Sequence, residues 1–373
     1  MKLWSTRRCV LSAGCALAAL APFGSVAGQH RTPPIRHVFV IVLENQAYET
    51  TFGAGTRAPY LADSLASQGA LLRQYYGTGH LSLDNYISMI SGIAPNPSTQ
   101  ADCGRYIEFA QTGTSADGQP IGKGCAYPAT VSTIANQLTA RKLSWKAYME
   151  DMGKDPARES ATCAHAKIGE LDPTERATAN DQYAAKHNPF VYFHSVIDTP
   201  ACQKNVVPLT AFEYDLQSVA TTPNYVFISP NLCHDGHDAP CRNGEPGGLV
   251  SANEFLAHWI PIIQKSKAYR DDGLIIVTFD EAGSADASAC CNEPTGPNTP
   301  APGTHGPGGG RIGAVLLSRY IKGGTVTDAP YNHYSMLRSV EDIFGLAHLG
   351  YAGSEGLTPF GSDVYSNWTA RVR

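Results

Sequence analysis

Nine residues near the start of the chain, Ile35-Arg36-His37-Val38-Phe39-Val40-Ile41-Val42-Leu43, run almost unbroken in apolar and β-branched side chains and stop at Glu44-Asn45. A strand with one wet face alternates polar and apolar residues, so a continuous run of this kind predicts a strand buried on both faces of a parallel sheet. Similar runs recur at 225–229, 274–279 and 312–318. Between them, 59–68, 82–91, 131–141, 252–267 and 334–344 carry apolar residues at mixed three- and four-residue spacing, the period of helices that bury one face. The alternation predicts an α/β fold, a doubly wound and mostly parallel sheet sandwiched by helices. Two polar, Cys-flanked stretches, 104–128 and 163–205, interrupt it and read as excursions over the strand ends. A third, 283–310, is rich in Gly, Pro, Ala and Asn, and a loop of that length in a compact fold usually serves a function.

With 43% hydrophobic and 16% charged residues over 373 positions, the chain has a globular composition that excludes disordered, collagen-like and coiled-coil classes. The paired Arg7-Arg8 stand directly before an uncharged apolar run that closes on Ser25-Val26-Ala27. That pattern reads as an export signal peptide over 1–27, of the twin-arginine kind, followed by a single catalytic domain over 28–373 with disulfide-pinned insertions. The formal charge is −5, and the leader holds Lys2, Arg7 and Arg8 but no acid, so the mature chain is more acidic still and nucleic acid is a poor partner. No later segment is long and apolar enough to span a bilayer, so no stable membrane insertion of the mature chain is expected. Beyond Cys9 and Cys15, eight cysteines remain, an even set that in a periplasmic or secreted protein implies disulfides. Nearest-neighbour pairing is expected: Cys103 with Cys125, Cys163 with Cys202, Cys233 with Cys241, and Cys290 with Cys291. The absence of any C-x-x-C pair argues against zinc ligation by these residues.

Candidate chemistry collects where strands end, since ligands of open parallel sheets sit at the carboxyl ends of the strands. Glu44 and Asn45 follow the first strand, and Asp280 and Glu281 follow the run at 274–279, a costly place for two carboxylates unless a metal or partner neutralises them. Asp235 and His237 follow 225–229 within a His- and Asp-rich loop. In His80-Leu81-Ser82-Leu83-Asp84-Asn85, Ser82 stands at a helix start, where free backbone N–H groups favour an anion, although a serine there also serves as a plain cap. His305 and His333 precede a strand and a helix. A serine hydroxyl is a weak nucleophile at neutral pH, and with no triad base in view a divalent metal ion is the economical activator.

In this order the motifs are specific: Glu44-Asn45, His80-x-Ser82-x-x-Asn85-Tyr86, Trp145-x-x-Tyr148-x-Glu150, Pro189-Phe190, Pro230-Asn231 with Asp235-Gly236-His237-Asp238, Asp280-Glu281, and His333-Tyr334-Ser335 leading to Glu341-Asp342. The chain resembles the phosphoesterase family of bacterial and fungal acid phosphatases and phospholipases C, within the alkaline phosphatase-like superfamily. It departs from the family pattern at Leu81 and Asp84, beside positions where proline is common. The resemblance implies an alkaline phosphatase-like sheet and a phosphoryl-enzyme route in which Ser82 attacks phosphorus while Glu44, Asn45, Asp280 and Glu281 hold the metal. His237 and Asp235 are assigned to the phosphoryl-transfer step, and His80, Asn85, His305 and His333 to substrate binding. The function expected is an exported metal-dependent acid phosphatase acting on small phosphomonoesters. A phospholipase C-like phosphodiesterase acting on lipid head groups is the alternative, and a non-catalytic envelope-binding protein is the rival from another class. An arylsulfatase reading lacks the Pro and Arg that the modifiable Cys/Ser motif needs after Ser82.

Overall fold

The first apolar run becomes strand β1 (His37–Leu43), whose seven residues are all buried. The computed structural model describes Met1 and residues 32–369, so the expected export signal lies, apart from Met1, outside the described residues. The other strands of the central sheet are β2 (Ala70–Leu72), β3 (Trp145–Met149), β4 (Val206–Pro208), β5 (Tyr225–Ser229), β6 (Gly273–Phe279), β7 (Ala314–Ser318) and β8 (Thr325–Thr327). Their order is β8-β2-β7-β6-β1-β5-β3-β4. Pairing is parallel throughout the half that runs from β6 to β4, and β7 alone among the described strands of this sheet runs against its neighbours. The sheet is therefore mostly parallel, as the uniform apolar runs predict. The expected strand over 312–318 is present but opposite in direction, a property that residue type does not encode.

Register fixes what the sheet presents. Leu43 pairs with Phe279 and Ile41 with Ile228, so β1, β5 and β6 end nearly level at one carboxyl edge. The chain stays in step one residue beyond: the Asp280 amide donates to the Leu43 carbonyl at 2.8 Å, and the Glu44 amide to the Asp235 carbonyl at 2.8 Å.

Four helices matter for the site: α1 (Ser82–Ser91), α2 (Ile134–Ala140), α3 (Gly248–Lys265) and α4 (His333–Phe344). Every residue of α1 is buried, which marks it as a core helix rather than a surface one. It stops at Gly92, whose φ of 68° is left-handed and where a Cβ would lie 2.2 Å from the Leu349 carbonyl oxygen. Helix α2 begins later than its periodicity suggests because Thr133 and Asn136 form a reciprocal cap. The helical pattern at 59–68 opens as a π-helical turn over Tyr60–Leu65, with the Asn253 side-chain oxygen accepting from the amides of Tyr60 and Leu61. The excursion 104–128 holds a short hairpin, Ala110–Thr114 with Pro120–Lys123. All four disulfides join the expected nearest neighbours.

Candidate active site

Three carboxylates meet where β1, β5 and β6 end, and each uses its oxygens in the same way. Glu44 Oε2 accepts from the Ser82 hydroxyl at 2.8 Å and from Asn45 Nδ2 at 3.2 Å. Asp280 Oδ1 accepts from the amides of Asn45 at 3.0 Å and Glu281 at 2.6 Å. Asp235 Oδ1 accepts from the His237 amide at 2.8 Å. The second oxygens, Glu44 Oε1, Asp235 Oδ2 and Asp280 Oδ2, are buried without a hydrogen bond among the described residues. All three side chains are 0% exposed. Burial, reinforced by the neighbouring Asp280 and Asp235 charges, pushes the Glu44 carboxyl well above its ordinary range. Burial likewise raises Asp235 to about 8 and Asp280 to about 6, against the pull of the backbone amides that hold them. Oxygen atoms left bare in a dry, mutually repelling cluster are the kind of donor a hard divalent cation takes.

Ser82 is delivered to Glu44 by a turn built on glycine and one asparagine. Asn85 Oδ1 accepts from the amides of Thr78 and Gly79, and its Nδ2 donates to the carbonyls of Gly79 and Leu81, closing residues 78–82 into a knot at the head of α1. The loop 283–310 clamps this turn from outside. The Gly309 amide donates to the Gly77 carbonyl, and a Cβ on Gly309 would lie 2.3 Å from the Gly79 carbonyl oxygen, so the two backbones meet where only glycine permits. Asp84, the acid one turn inside α1, packs against Gly79 with both oxygens buried and without hydrogen bonds among the described residues.

The site also holds a cation and an imidazole from the excursion 163–205. Lys186 Nζ bonds Asp102 Oδ2 at 3.0 Å, and Asp102 Oδ1 accepts from the Leu83 amide at 3.0 Å, so one carboxylate ties the lysine to the first turn of α1. Burial works against the Lys186 charge, but Asp102 and Glu44 more than offset it and keep the ammonium protonated. His187 stacks on Tyr86 with ring centroids 5.2 Å apart and stands between two of the bare oxygens: Nε2 is 3.3 Å from Glu44 Oε1, and Nδ1 is 3.1 Å from Asp235 Oδ2. Neither approach has hydrogen-bond geometry, and burial together with the Lys186 charge holds the ring well below the usual histidine range, hence neutral.

The phosphoesterase family model matches residues 55–347. The chain belongs to the phosphoesterase family. It is similar to an acid phosphatase of Aspergillus fumigatus, 26% identical over 338 residues, 90% of this chain and 60% of that one. It is also similar to a phosphatidylinositol-3-phosphatase of Mycobacterium tuberculosis, 25% identical over 86% of this chain and 80% of that one. Among solved structures, a protein in the alkaline phosphatase superfamily from Vibrio parahaemolyticus is similar at 13% identity and a TM-score of 0.49, over 90% of this chain and 73% of that one. The chain spans about three fifths of the length of the fungal acid phosphatases it matches.

The remaining expected residues lie around this edge and in the loops above it. His80 is buried against Glu281, its Nδ1 in close contact with Oε2 of that acid, and its Nε2 lies 3.0 Å from the Asp286 carbonyl oxygen. Glu281 therefore faces His80 while its neighbour Asp280 faces Glu44. His333 sits beneath the edge, with Nε2 2.6 Å from the Asp280 carbonyl oxygen and Nδ1 3.2 Å from the Tyr75 hydroxyl; burial lowers it to about 4, so it is neutral. His237 is exposed, and its Nδ1 donates to Asp238 Oδ1 at 2.8 Å, which raises the ring above the usual histidine range. Two further residues expected to bind substrate are placed differently. Asn85 has both ends of its amide engaged inside the turn, and His305 is exposed in its loop with no ring hydrogen bond among the described residues.

Asp102, Lys186 and His187 escape sequence reasoning. Lys186-His187 lies in a polar stretch without periodicity, and the one usable signal is its position directly before the Pro189-Phe190 motif. Among the described residues the one trio of His, Cys, Asp or Glu donor atoms mutually within 4.8 Å is Cys233, His234 and Glu245; Glu44, Asp235 and Asp280 stand farther apart than that. Cys233 is bonded to Cys241, and His234 is held by Glu150 and Glu245 at 2.8 and 3.0 Å, so ordinary ionic contacts account for it.

Proposed function

We propose that the chain is an exported, metal-dependent phosphoric ester hydrolase acting on phosphomonoesters, with Ser82 as nucleophile. The observation that carries this reading is the Ser82 hydroxyl hydrogen-bonded to Glu44 inside a ring of carboxylates that each leave one oxygen bare. Glu44, Asp280 and Asp235 would hold the cation through those oxygens, with Asn45 beside them and Glu281 braced on His80. A divalent ion bound there would lower the pKa of the Ser82 hydroxyl and offset charge on the phosphoryl oxygens. Ser82 Oγ forms the bond to phosphorus as the bond to the leaving oxygen breaks, and its proton departs along the hydrogen bond to Glu44 Oε2. His237, raised above the usual histidine range by its hydrogen bond to Asp238, supplies a proton from Nε2 to the departing alcohol. Lys186 offers fixed positive charge beside the acceptor oxygens, and the helix start at Ser82 adds partial positive charge on the same side. Water then cleaves the phosphoserine and restores the hydroxyl.

A leader over 1–27 would deliver a single catalytic domain, 28–373, to the periplasm or the medium, and four disulfides suit an oxidising compartment. No helix of the described residues is long and apolar enough to cross a membrane.

The deciding experiment is Ser82→Ala, assayed on a phosphomonoester with and without chelator and paired with mass spectrometry of acid-quenched wild type. Turnover should fall by more than about a thousandfold in a folded variant, and phosphate should be found on Ser82. Activity within tenfold of wild type would remove Ser82 from the mechanism.

A further inference from the structure

A cavity of about 700 Å³ opens beside the candidate active site, over the carboxyl ends of β3 and β4, and none of Glu44, Ser82, Asp235 or Asp280 lines it. We propose that this cavity binds an organic cation, such as a quaternary ammonium group. Its size is in the range that accepts a small organic ligand. Its walls carry three acids, Glu150, Asp151 and Glu213, against one lysine, Lys154, and one histidine, His258.

Two of those acids are already engaged. Asp151 Oδ1 pairs with Lys154 at 3.0 Å, while its Oδ2 accepts from Asn231 Nδ2 at 2.9 Å. Glu150 holds His234 at 2.8 Å and the Asn231 amide at 3.0 Å. Glu213 has no ion pair or side-chain hydrogen bond among the described residues and is exposed to the cavity mouth. Trp259, from α3, also lines the cavity, its ring fixed by His258 at 5.0 Å, Phe212 at 5.7 Å and Phe255 at 6.2 Å.

An unpaired carboxylate and an immobilised indole lining one cavity are the pairing that recognises a weakly hydrated cation, by direct attraction to the acid and by the negative face of the ring. The surplus of carboxylates repels an anion, and a neutral ligand would leave Glu213 without a partner. The inference does not depend on the reaction proposed above, because none of its residues belongs to that machinery.

The test is calorimetric titration of the full chain with choline and with its carbon isostere, in which carbon replaces the ammonium nitrogen, at constant ionic strength. Choline should bind saturably at one site and the isostere should not. Glu213→Gln, a change at an exposed position, should weaken choline roughly tenfold, and Glu213→Lys should abolish binding. Trp259→Leu, which keeps apolar bulk, should weaken it as well, and the Glu213 pair decides the matter if that variant fails to fold. Absence of saturable binding, equal binding of the isostere, or choline binding unchanged in both Glu213 variants would overturn the proposal. Turnover of a chromogenic phosphate ester in the Glu213 variants should equal wild type, so a failure here leaves the assignment of Ser82 standing.

Discussion

Asp280 offers a clean probe of the carboxylate ring because its two oxygens have separate tasks. Asp280→Asn keeps an acceptor for the amides of Asn45 and Glu281 but replaces the bare oxygen with a donor. Bound divalent metal, measured by elemental analysis, should drop along with turnover, while the metal-free variant should melt higher than metal-free wild type because one member of a repelling cluster is gone. Full metal occupancy in the variant would exclude Asp280 as a ligand. His237 calls for a different readout. If its Nε2 protonates the leaving group, His237→Ala should slow alkyl phosphates far more than a nitrophenyl ester, whose alcohol leaves without help. Equal losses on both substrates would assign the ring to binding. At this scale Glu44, Ser82 and Asp280 were legible as candidates because each directly follows an apolar strand or opens a helix, and Asp235 because it lies in the His- and Asp-rich loop after β5. For Asn85, sequence shows that an amide is present but not that its amide bonds four backbone groups of its own turn.

Among the elements, the excursion 163–205 looks most like an unstructured insert in sequence and proves to carry Lys186 and His187 into the site. What rigidifies it is Arg158, whose buried guanidinium bonds Asp181 Oδ1 at 2.6 Å and donates to the carbonyls of Pro173, Thr174, Arg176, Asp181 and Tyr183. Removing one member of a buried pair strands the other, so Arg158→Ala should cost about 3–5 kcal/mol and lower turnover together. Denaturant titration measures the first, and a loss under about 1 kcal/mol would show that the disulfide Cys163–Cys202 suffices to hold the segment. The legible elements were the long ones. β1, β5 and β6 announce themselves by continuous burial, whereas β2, β4 and β8 have only three residues each, too few to show a period. The strand over 312–318 was legible in position and not in direction, since direction is set by connection length rather than by side chains.

For the molecule as a whole, pH acts through acids that folding deprives of water. Glu341, on α4, is fully buried with Oε1 accepting from the Leu349 amide at 2.9 Å, and burial raises its carboxyl to about 9. An unfolded glutamate releases its proton near about pH 4.3, so between that point and about 9 the folded chain keeps a proton that the unfolded chain has lost. Stability contributed by this group is complete below that interval and declines as pH rises through it, by up to about 1.4 kcal/mol per pH unit. Glu341→Gln should flatten the decline in thermal melts taken across the same interval, and an unchanged slope would assign the effect to other groups. The reversed strand β7 has a consequence of another kind. Because it runs against β6, the connection from Asp280 to Ala314 leaves the sheet and re-enters it at the same edge, the one that holds Ser82. Such a connection is a flap hinged at both ends on one rim, and its length can change without rethreading any strand. Descendants of this scaffold can therefore exchange the roof over Ser82 while the floor stays fixed, which makes this loop the natural place to graft a new choice of ligand.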